Sequence, residues 1–250
     1  MADLWPAGLG RHVLPEVDST NAHALRLAPD LRGPAWFLGL TQTAGRGRRA
    51  RNWASPRGNF YGTLLLQPTE PPEQVALRSF AAALALRDAF VALTGLPDSF
   101  RLKWPNDVLL NGGKVAGILL ESSGMGGRVQ HLAIGIGVNL ISHPDAAQVE
   151  PGAVPPVSLL SETGLRVTPE AFLDALAPAY ARWEATFATD GFGPLREAWL
   201  ANAARLGELI RARTGTATQE GRFETIDSRG NLILATSGGR MAIPAAEVFF

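Results

Sequence analysis

The chain has 250 residues, of which 46% are apolar and 18% charged, and its 23 basic and 23 acidic residues balance to a formal net charge of zero. This composition predicts a folded protein with a full hydrophobic core, and it excludes a surface built throughout for nucleic acid or anionic lipid. The absence of cysteine excludes disulfides, thiolate metal sites and thiol nucleophiles.

Two further classes of protein are not expected. The four histidines have no spacing that would place two of them on one helix face, so a structural zinc site is not predicted. The N-terminal residues lack the basic and apolar regions of a secretory signal, and no apolar run reaches the roughly 18 residues of a membrane span. We therefore expect a cytoplasmic protein that makes no membrane contact.

Hydrophobic periodicity predicts the secondary structure in chain order. A short helix should begin after Asp18 or Ser19, and the strongest helical pattern covers 75–93, ended by Gly95 and Pro97. Further helices are expected at 169–188 and 192–204. Strands are predicted at 36–40, 60–66, 101–104, 107–110, 114–121 and 129–139.

The pattern changes near residue 206. Short strand-like runs separated by turn residues follow at 209–211, 223–226, 232–234 and 241–243. The sequence therefore predicts an α+β fold in which residues 1–204 form a mixed sheet flanked by helices and residues 205–250 form a small all-β domain. The segment 141–157 is rich in proline and lacks periodicity, so it is expected to be a long loop of the kind that often covers a ligand.

An arginine-rich glycine loop joins the first two predicted core strands. Four arginines lie within 46–51, and Trp53 follows them. Glycines let the backbone approach a ligand, and guanidinium groups bind carboxylates or phosphates through paired hydrogen bonds. The pattern from Gly45 to Ala50 also resembles a dinucleotide fingerprint, but no helical periodicity follows it, so that interpretation is rejected. Taken alone, the loop is more typical of a solvated basic surface or a nonspecific nucleic-acid contact than of a ligand site.

A second block contains both lysines of the chain, Lys103 and Lys114. The turn at 111–113 predicts a β-hairpin in which Asp107 and Lys114 share one face. The opposite, core-facing side is predicted to carry Val108, Leu110, Val115, Gly117 and Leu119. An ordinary surface ion pair is the alternative. Asn106 and Asp107 also offer the oxygen ligands that Mg²⁺ prefers, so Asp107 is a candidate magnesium ligand.

Five motifs resemble, in order and spacing, those of the biotin protein ligases: Ser19-Thr20-Asn21, the segment from Gln42 to Trp53, Lys103-Trp104-Pro105-Asn106-Asp107, Gly113-Lys114-Val115-Ala116-Gly117-Ile118-Leu119 and Gly135-Ile136-Gly137-Val138-Asn139. The resemblance implies a catalytic domain like that of class II synthetases and biotin–lipoate ligases, followed by a small SH3-like β-barrel. It also implies the reaction of biotin with ATP and Mg²⁺ to biotinyl-AMP and pyrophosphate, followed by transfer of biotin to a lysine of a biotin carboxyl carrier protein.

The resemblance assigns roles to individual residues. The catalytic set is Lys114, Arg48, Arg51 and Asp107. The residues implied for biotin are Ser19, Thr20, Asn21, Gln42, Gly45, Arg46, Arg48, Trp53, Lys114 and Gly117. The residues implied for the nucleotide are Arg46, Arg49, Arg51, Trp53, Asn106 and Asn139.

The chain departs from the family pattern in two places. Ala50 stands where many members have glycine, and after Phe250 there is no trailing arginine of the kind implicated in the nucleotide site of some relatives. About seventeen residues precede Asp18, too few for the DNA-binding domain of the bifunctional members, so a ligase that does not bind DNA is expected. A lipoate or octanoate transferase and a non-catalytic nucleic-acid-binding domain are the rival interpretations, and homodimer formation stays open.

Overall fold

The computed structural model describes residues 5–145, 149–150, 152–214, 217–244 and 246–249. A seven-stranded mixed sheet forms its centre, with strand order β1-β2-β3-β7-β6-β5-β4. The strands are β1 Gly10–Leu14, β2 Ala35–Gly39, β3 Phe60–Leu66, β4 Phe100–Lys103, β5 Asp107–Leu110, β6 Gly113–Met125 and β7 Arg128–Val138. The helices are α1 Thr20–Leu27, α2 Pro72–Val75, α3 Arg78–Thr94, α4 Leu159–Thr163, α5 Pro169–Asp190 and α6 Phe192–Ala201.

Helices cover both faces of this sheet. Strand β2 shows the division, because Trp36 and Leu38 point into the main core while Phe37 points into a smaller cluster with Ala24 of α1. The main core lies between the sheet and helices α3, α5 and α6. A central strand with both faces buried needs a continuous apolar run, which is the pattern predicted at 36–40.

The predicted helix boundaries are close to the observed ones. Ser19 caps α1 with its hydroxyl, as expected, and Gly95 ends α3 in the left-handed conformation with a φ of 72°. The helix predicted at 75–93 is α3, which begins three residues later, at Arg78, and ends one residue later, at Thr94. The helix predicted at 192–204 ends at Ala201.

The β5–β6 hairpin has the predicted turn, but one strand does not have the predicted faces. Asn111 and Gly112 form its two-residue turn, with φ values of 50° and 85°. The register then shifts between Val108 and Leu109, so that Asp107 pairs with Gly117 instead of Ala116. Because a bulge exchanges the faces of the strand beyond it, Gly117 and Leu119 lie on the face of Asp107 and not, as predicted, on the core face.

A second, antiparallel sheet of five strands follows α6, in the order β11-β10-β9-β8-β12. Its strands are β8 Leu209–Arg213, β9 Thr218–Ile226, β10 Leu232–Thr236, β11 Gly239–Ile243 and β12 Glu247–Phe249. Trp199 of α6 packs between Phe80 and Phe223, with ring centroids 5.5 and 6.5 Å away. The two sheets therefore share one continuous core.

Four of these helices and strands were not predicted: β1, α2, α4 and β12. Strand β1 pairs in parallel with β2 at the sheet edge, and its central residues are exposed, which removes the apolar alternation that identifies a strand. Strand β12 has only three residues. Across the described ranges, no helix is long and apolar enough to cross a membrane.

Candidate functional site

A cleft of about 500 Å³ opens above the strands β6 and β7. The arginine-rich loop forms one wall, and the segments around Glu150 and β12 contribute to another. Every residue that the family resemblance implicates lines this cleft except Gly45. The fold thus brings together motifs that are more than a hundred residues apart in sequence.

One end of the cleft is a buried polar network. Ser19, Thr20 and Asn21 are each 4% exposed. The backbone N–H of Thr20 donates to Oε1 of Gln42 at 2.9 Å, and Gln42 Nε2 donates to Ser55 Oγ at 3.0 Å. These side chains suit a neutral polar ligand group, which must be hydrogen-bonded when it is buried.

Gly45 contributes by its lack of a side chain. A methyl group added there would lie 2.5 Å from Ser55 Oγ and 2.7 Å from the carbonyl oxygen of Trp53. The N–H of Trp53 donates to the carbonyl of Gly45 at 3.0 Å. Only glycine therefore allows the two ends of the arginine-rich loop to meet this closely.

The four loop arginines point in different directions. Arg46 pairs with Glu121 of β6, with Nη2 3.0 Å from Oε1. Arg48 Nη1 donates to Asn106 Oδ1 at 3.2 Å, at the start of the β5–β6 hairpin. Arg49 adopts a left-handed conformation with a φ of 57°, which turns the loop sharply towards the second sheet.

Two carboxylates neutralise the remaining arginines. Glu247 of β12 pairs with Arg49 at 2.9 Å and also with Arg51. Glu150 pairs with Arg51 at 2.6 Å, and Arg213 of β8 bonds to both carboxylates. Burial alone would raise the pKa of Glu247, but hydrogen bonds from Arg51 and Arg213 lower it to about 2. The carboxylate therefore stays ionised and holds the loop against the second sheet.

Both lysines meet at Asp107. Lys114 Nζ lies 2.7 Å from Asp107 Oδ1, and Lys103 Nζ lies 3.9 Å from Oδ2. Burial lowers the pKa of the Lys103 ammonium, while the Asp107 carboxylate works in the opposite direction. The predicted pairing of Asp107 with Lys114 on one face is confirmed, and it occurs inside the cleft, not on an ordinary surface.

The indole of Trp53 lies across two glycines of neighbouring strands. Gly117 of β6 pairs with Gly137 of β7. A methyl group added at Gly137 would come within 2.6 Å of the indole, and one at Gly117 within 3.3 Å. Lys114 Nζ is 5.6 Å from the ring centroid, within reach of a cation–π contact. Because both residues are glycines, the indole ring can pack directly against the backbone.

Asn139 directly follows β7 and lines the cleft. Its side-chain Nδ2 donates to the carbonyl of Val157 at 3.0 Å, and its backbone N–H donates to the carbonyl of Val115. The backbone N–H of Val157 donates to the carbonyl of Lys114, so the segment leading into α4 is tied to β6. Asn139 thus positions the cleft floor relative to that segment.

The described residues contain no group of three or more His, Asp or Glu side chains that could hold a metal ion. Asp107 lies between two ammonium groups, which opposes a cation at the same carboxylate. Mg²⁺ in ATP-dependent enzymes is bound largely by phosphate oxygens, with only one or two protein carboxylates. The protein side chains alone therefore do not form a metal site, and Asp107 as a magnesium ligand stays a prediction.

Sequence reasoning missed several residues that complete the site. Thr63 and Glu121 extend the buried polar network, while Glu150 and Glu247 pair with the arginine-rich loop. None belongs to a motif, and each acts on a residue distant in sequence. The apolar run 60–66 offered one signal, since Thr63 is a polar residue in the middle of a buried strand.

Comparison with known proteins identifies the family of this chain. Residues 14–139 match the family model described as "Biotin/lipoate A/B protein ligase family", and residues 206–250 match "Biotin protein ligase C terminal domain". The chain belongs to the biotin/lipoate A/B protein ligase family. The second match distinguishes the biotin protein ligases within it, so the fold and enzyme class expected from the five motifs are confirmed.

Individual relatives point to the same activity. The chain is 62% identical to the biotin–[acetyl-CoA-carboxylase] ligase of Paracoccus denitrificans, over 95% of this chain and 99% of the relative. It is 31% identical to the bifunctional ligase/repressor BirA of Bacillus spizizenii, over 96% of this chain and 74% of the relative. Among solved structures, the biotin protein ligase of Aquifex aeolicus in complex with biotin and ATP superposes with a TM-score of 0.82 at 26% identity, covering 96% and 97% of the two chains.

Proposed function

We propose that this chain activates biotin with ATP and transfers it to a lysine of the biotin carboxyl carrier protein of acetyl-CoA carboxylase. The single observation that carries the residue assignment is the cleft itself, in which a buried polar end adjoins a wall of cationic side chains. The name of the Paracoccus denitrificans relative supports the choice of acceptor. We place the catalytic domain at residues 1–204 and the small domain at 205–250, and the reaction in the cytoplasm.

The first step joins two anions. A carboxylate oxygen of biotin attacks the α-phosphorus of ATP, the bond from that phosphorus to the β-phosphate oxygen breaks, and pyrophosphate leaves. Cationic groups fixed in advance stabilise the charge that grows on the phosphoryl oxygens. Lys114 and Arg48 are held for this role by Asp107 and Asn106 respectively. Because these partners fix the side chains before substrate binds, little reorganisation is needed during the reaction.

Arg49 and Arg51 would meet the phosphates differently. Both are paired with carboxylates at the edge of the cleft in this structure. Phosphate oxygens bind guanidinium groups at least as strongly as carboxylates do, so the nucleotide competes with Glu150 and Glu247 for them. Binding of ATP then exchanges one set of ion pairs for another at this wall.

The second step requires that water is kept away from the biotinyl-AMP intermediate. The ε-amine of the carrier lysine attacks the carbonyl carbon of biotinyl-AMP, and AMP leaves. The indole of Trp53 and the segment around Glu150 border the cleft on the side of the phosphate-binding arginines. Excluding water from a mixed anhydride prevents its hydrolysis before the amine arrives.

The polar end of the cleft would receive the ureido group of biotin. Thr20 and Gln42 line it and are fixed by the hydrogen bond between them. A site built to bind polar groups discriminates strongly against ligands that lack them, because its own buried groups are then left unpaired. Lipoate and octanoate have no ureido group, so we expect both to be poor substrates.

The test is ATP–pyrophosphate exchange by the purified protein with biotin, lipoate or octanoate. We expect exchange with biotin alone, and an acyl transfer assay with a carrier domain should then show biotin on one lysine. Lys114→Ala should abolish exchange while its thermal unfolding stays near wild type. Arg101→Ala is a matched control, because it removes an exposed cation outside the cleft. Exchange with lipoate instead of biotin, or normal exchange by Lys114→Ala, would contradict the assignment.

A further inference from the structure

Glu121 lies at the meeting point of the arginine-rich loop and the buried polar network. Its Oε1 accepts from Arg46 Nη2 at 3.0 Å, and its Oε2 accepts from Asn21 Nδ2 at 2.8 Å. A carboxylate has no proton to donate when ionised, so the group facing it must be a donor. Glu121 therefore fixes the amide of Asn21 with its NH₂ group towards β6, where it also reaches the carbonyl of Leu119.

The fixed amide then determines the next hydrogen bond. Asn21 Oδ1 lies 2.6 Å from the hydroxyl of Thr63, which is fully buried in β3. An amide oxygen only accepts, so the single hydroxyl proton of Thr63 must point to Asn21. The Thr63 oxygen is left as an acceptor on its other side.

The same argument fixes the direction of the hydrogen bond between Thr63 and Thr20. Its hydroxyl lies 2.8 Å from Thr63 Oγ1, which has already donated its proton to Asn21. The Thr20 hydroxyl must therefore be the donor at this contact. The more distant oxygen of Gln42, 3.2 Å away, already receives the backbone N–H of Thr20. The Thr20 oxygen keeps a lone pair for a group in the cleft that it lines.

We propose that Glu121 is a positioning residue that determines specificity, because its charge sets the Thr20 hydroxyl as an acceptor for an N–H group of the substrate. The ureido ring of biotin supplies such an N–H group, so this inference rests on the proposed function. The effect passes through Asn21 and Thr63, and Glu121 itself need not touch the substrate. Replacing the carboxylate by an amide removes the shorter, charged contact of the Asn21 NH₂ group and leaves the carbonyl of Leu119, at 3.2 Å, to hold it, so the row of donors and acceptors is set less firmly.

The first experiment compares Glu121→Gln with wild type in biotin-dependent ATP–pyrophosphate exchange. The KM for biotin should rise at least about tenfold, while the KM for ATP changes little. Glu121→Asp keeps the charge and should recover part of the loss. Glu224→Gln is the matched control, because it neutralises a glutamate paired with Arg240 in the second sheet, far from the network. A merely structural role would move both KM values together.

A second variant separates the network from the ion pair. Thr63→Val interrupts the hydrogen bonds but leaves the Arg46–Glu121 pair in place. It should raise the KM for biotin in the same way, and the Glu121→Gln, Thr63→Val double variant should be no worse than the poorer single one. Biotin analogues in which one ureido N–H is replaced by N–CH₃ test the contact directly, with one analogue for each ring nitrogen. In these variants, one of the two analogues should have a KM no higher than that of biotin, and the other should keep the higher KM that it has with wild type.

The outcomes are distinct from those that test the proposed function. If wild type exchanges with biotin but Glu121→Gln keeps the wild-type KM for biotin, the inference is wrong and the function stands. Additive losses in the double variant would also overturn it, because they would show that Glu121 and Thr63 act separately. If wild type shows no exchange with biotin, the proposed function fails first, and this inference fails with it.

Discussion

The indole of Trp53 packs against two paired glycines, so adding one methyl group there should lower the activity. In Gly137→Ala the new Cβ would lie 2.6 Å from the indole Cε2 and 2.7 Å from Nε1. Ordinary carbon contacts are about 3.5–4.0 Å, so the ring must withdraw by roughly 1 Å. Its withdrawal changes the cleft wall beside Lys114, whose Nζ lies 5.6 Å from the ring centroid.

The size of the effect follows from the cost of overpacking. Inserting one methyl group into a tight contact costs about 1–3 kcal/mol when the neighbour cannot relax. Trp53 is on a loop at the edge of the cleft, so we expect this cost to appear as lost binding of the transition state and not as global unfolding. At 1.4 kcal/mol per factor of ten, kcat/KM for exchange should fall by roughly 5- to 150-fold.

Two substitutions calibrate this experiment. Gly117→Ala brings its methyl group only to 3.3 Å from the same ring and should cost less. Gly33→Ala has no atom within 4 Å of the new methyl group and should leave exchange unchanged. The assay is steady-state ATP–pyrophosphate exchange, with thermal unfolding as a check on the fold. The reasoning is refuted if Gly137→Ala retains wild-type kcat/KM, or if Gly117→Ala is the more damaging of the pair.

Three further predictions concern stability. The pKa of Glu247 is lowered from 4.5 to about 2, so its stabilising contribution, roughly 3 kcal/mol at most, is complete above about pH 4.5 and is lost as pH falls towards 2. Urea unfolding should therefore separate Glu247→Gln from wild type at pH 7, and the gap should close in acid; a gap that is constant with pH would contradict this. Trp199→Ala should destabilise the chain by about 3–5 kcal/mol, and calorimetry should show one transition, since two separate transitions would mean that the sheets do not share a core. Asn59 anchors Ile141 and Ser142 by four hydrogen bonds, so Asn59→Ala should make 141–145 an early site of limited proteolysis, and unchanged cleavage there would count against this anchor.

Local patterns in the sequence predicted most of the individual elements. The run Phe60–Leu66 is a strand because its apolar residues are buried on both sheet faces, and the helix Arg78–Thr94 ends where Gly95 adopts a left-handed conformation. The turn at Asn111-Gly112 was readable because those residue types tolerate positive φ. Elements without such a signal were missed, among them the exposed edge strand Gly10–Leu14 and the three-residue strand Glu247–Phe249.

Local patterns could not predict the bulge between Val108 and Leu109. It depends on how β6 pairs with both of its neighbours at once, and it moves Gly117 from the predicted core face to the floor of the cleft. A one-residue shift in register reverses the two faces of a strand without changing its sequence, so hydrophobic periodicity does not indicate it.

The sequence by itself determined which residue types the reaction requires. Glycines, arginines, Lys114 and Asp107 lie in motifs that resemble those of the biotin protein ligases in order and spacing, and the proposed joining of two anions requires fixed cations. Only the tertiary structure decided which carboxylates hold those cations. Glu121 and Glu247 belong to no motif and pair with arginines 75 and 198 residues away, because ion pairs between distant segments are set by the packing of the sheets and leave no local pattern in the chain.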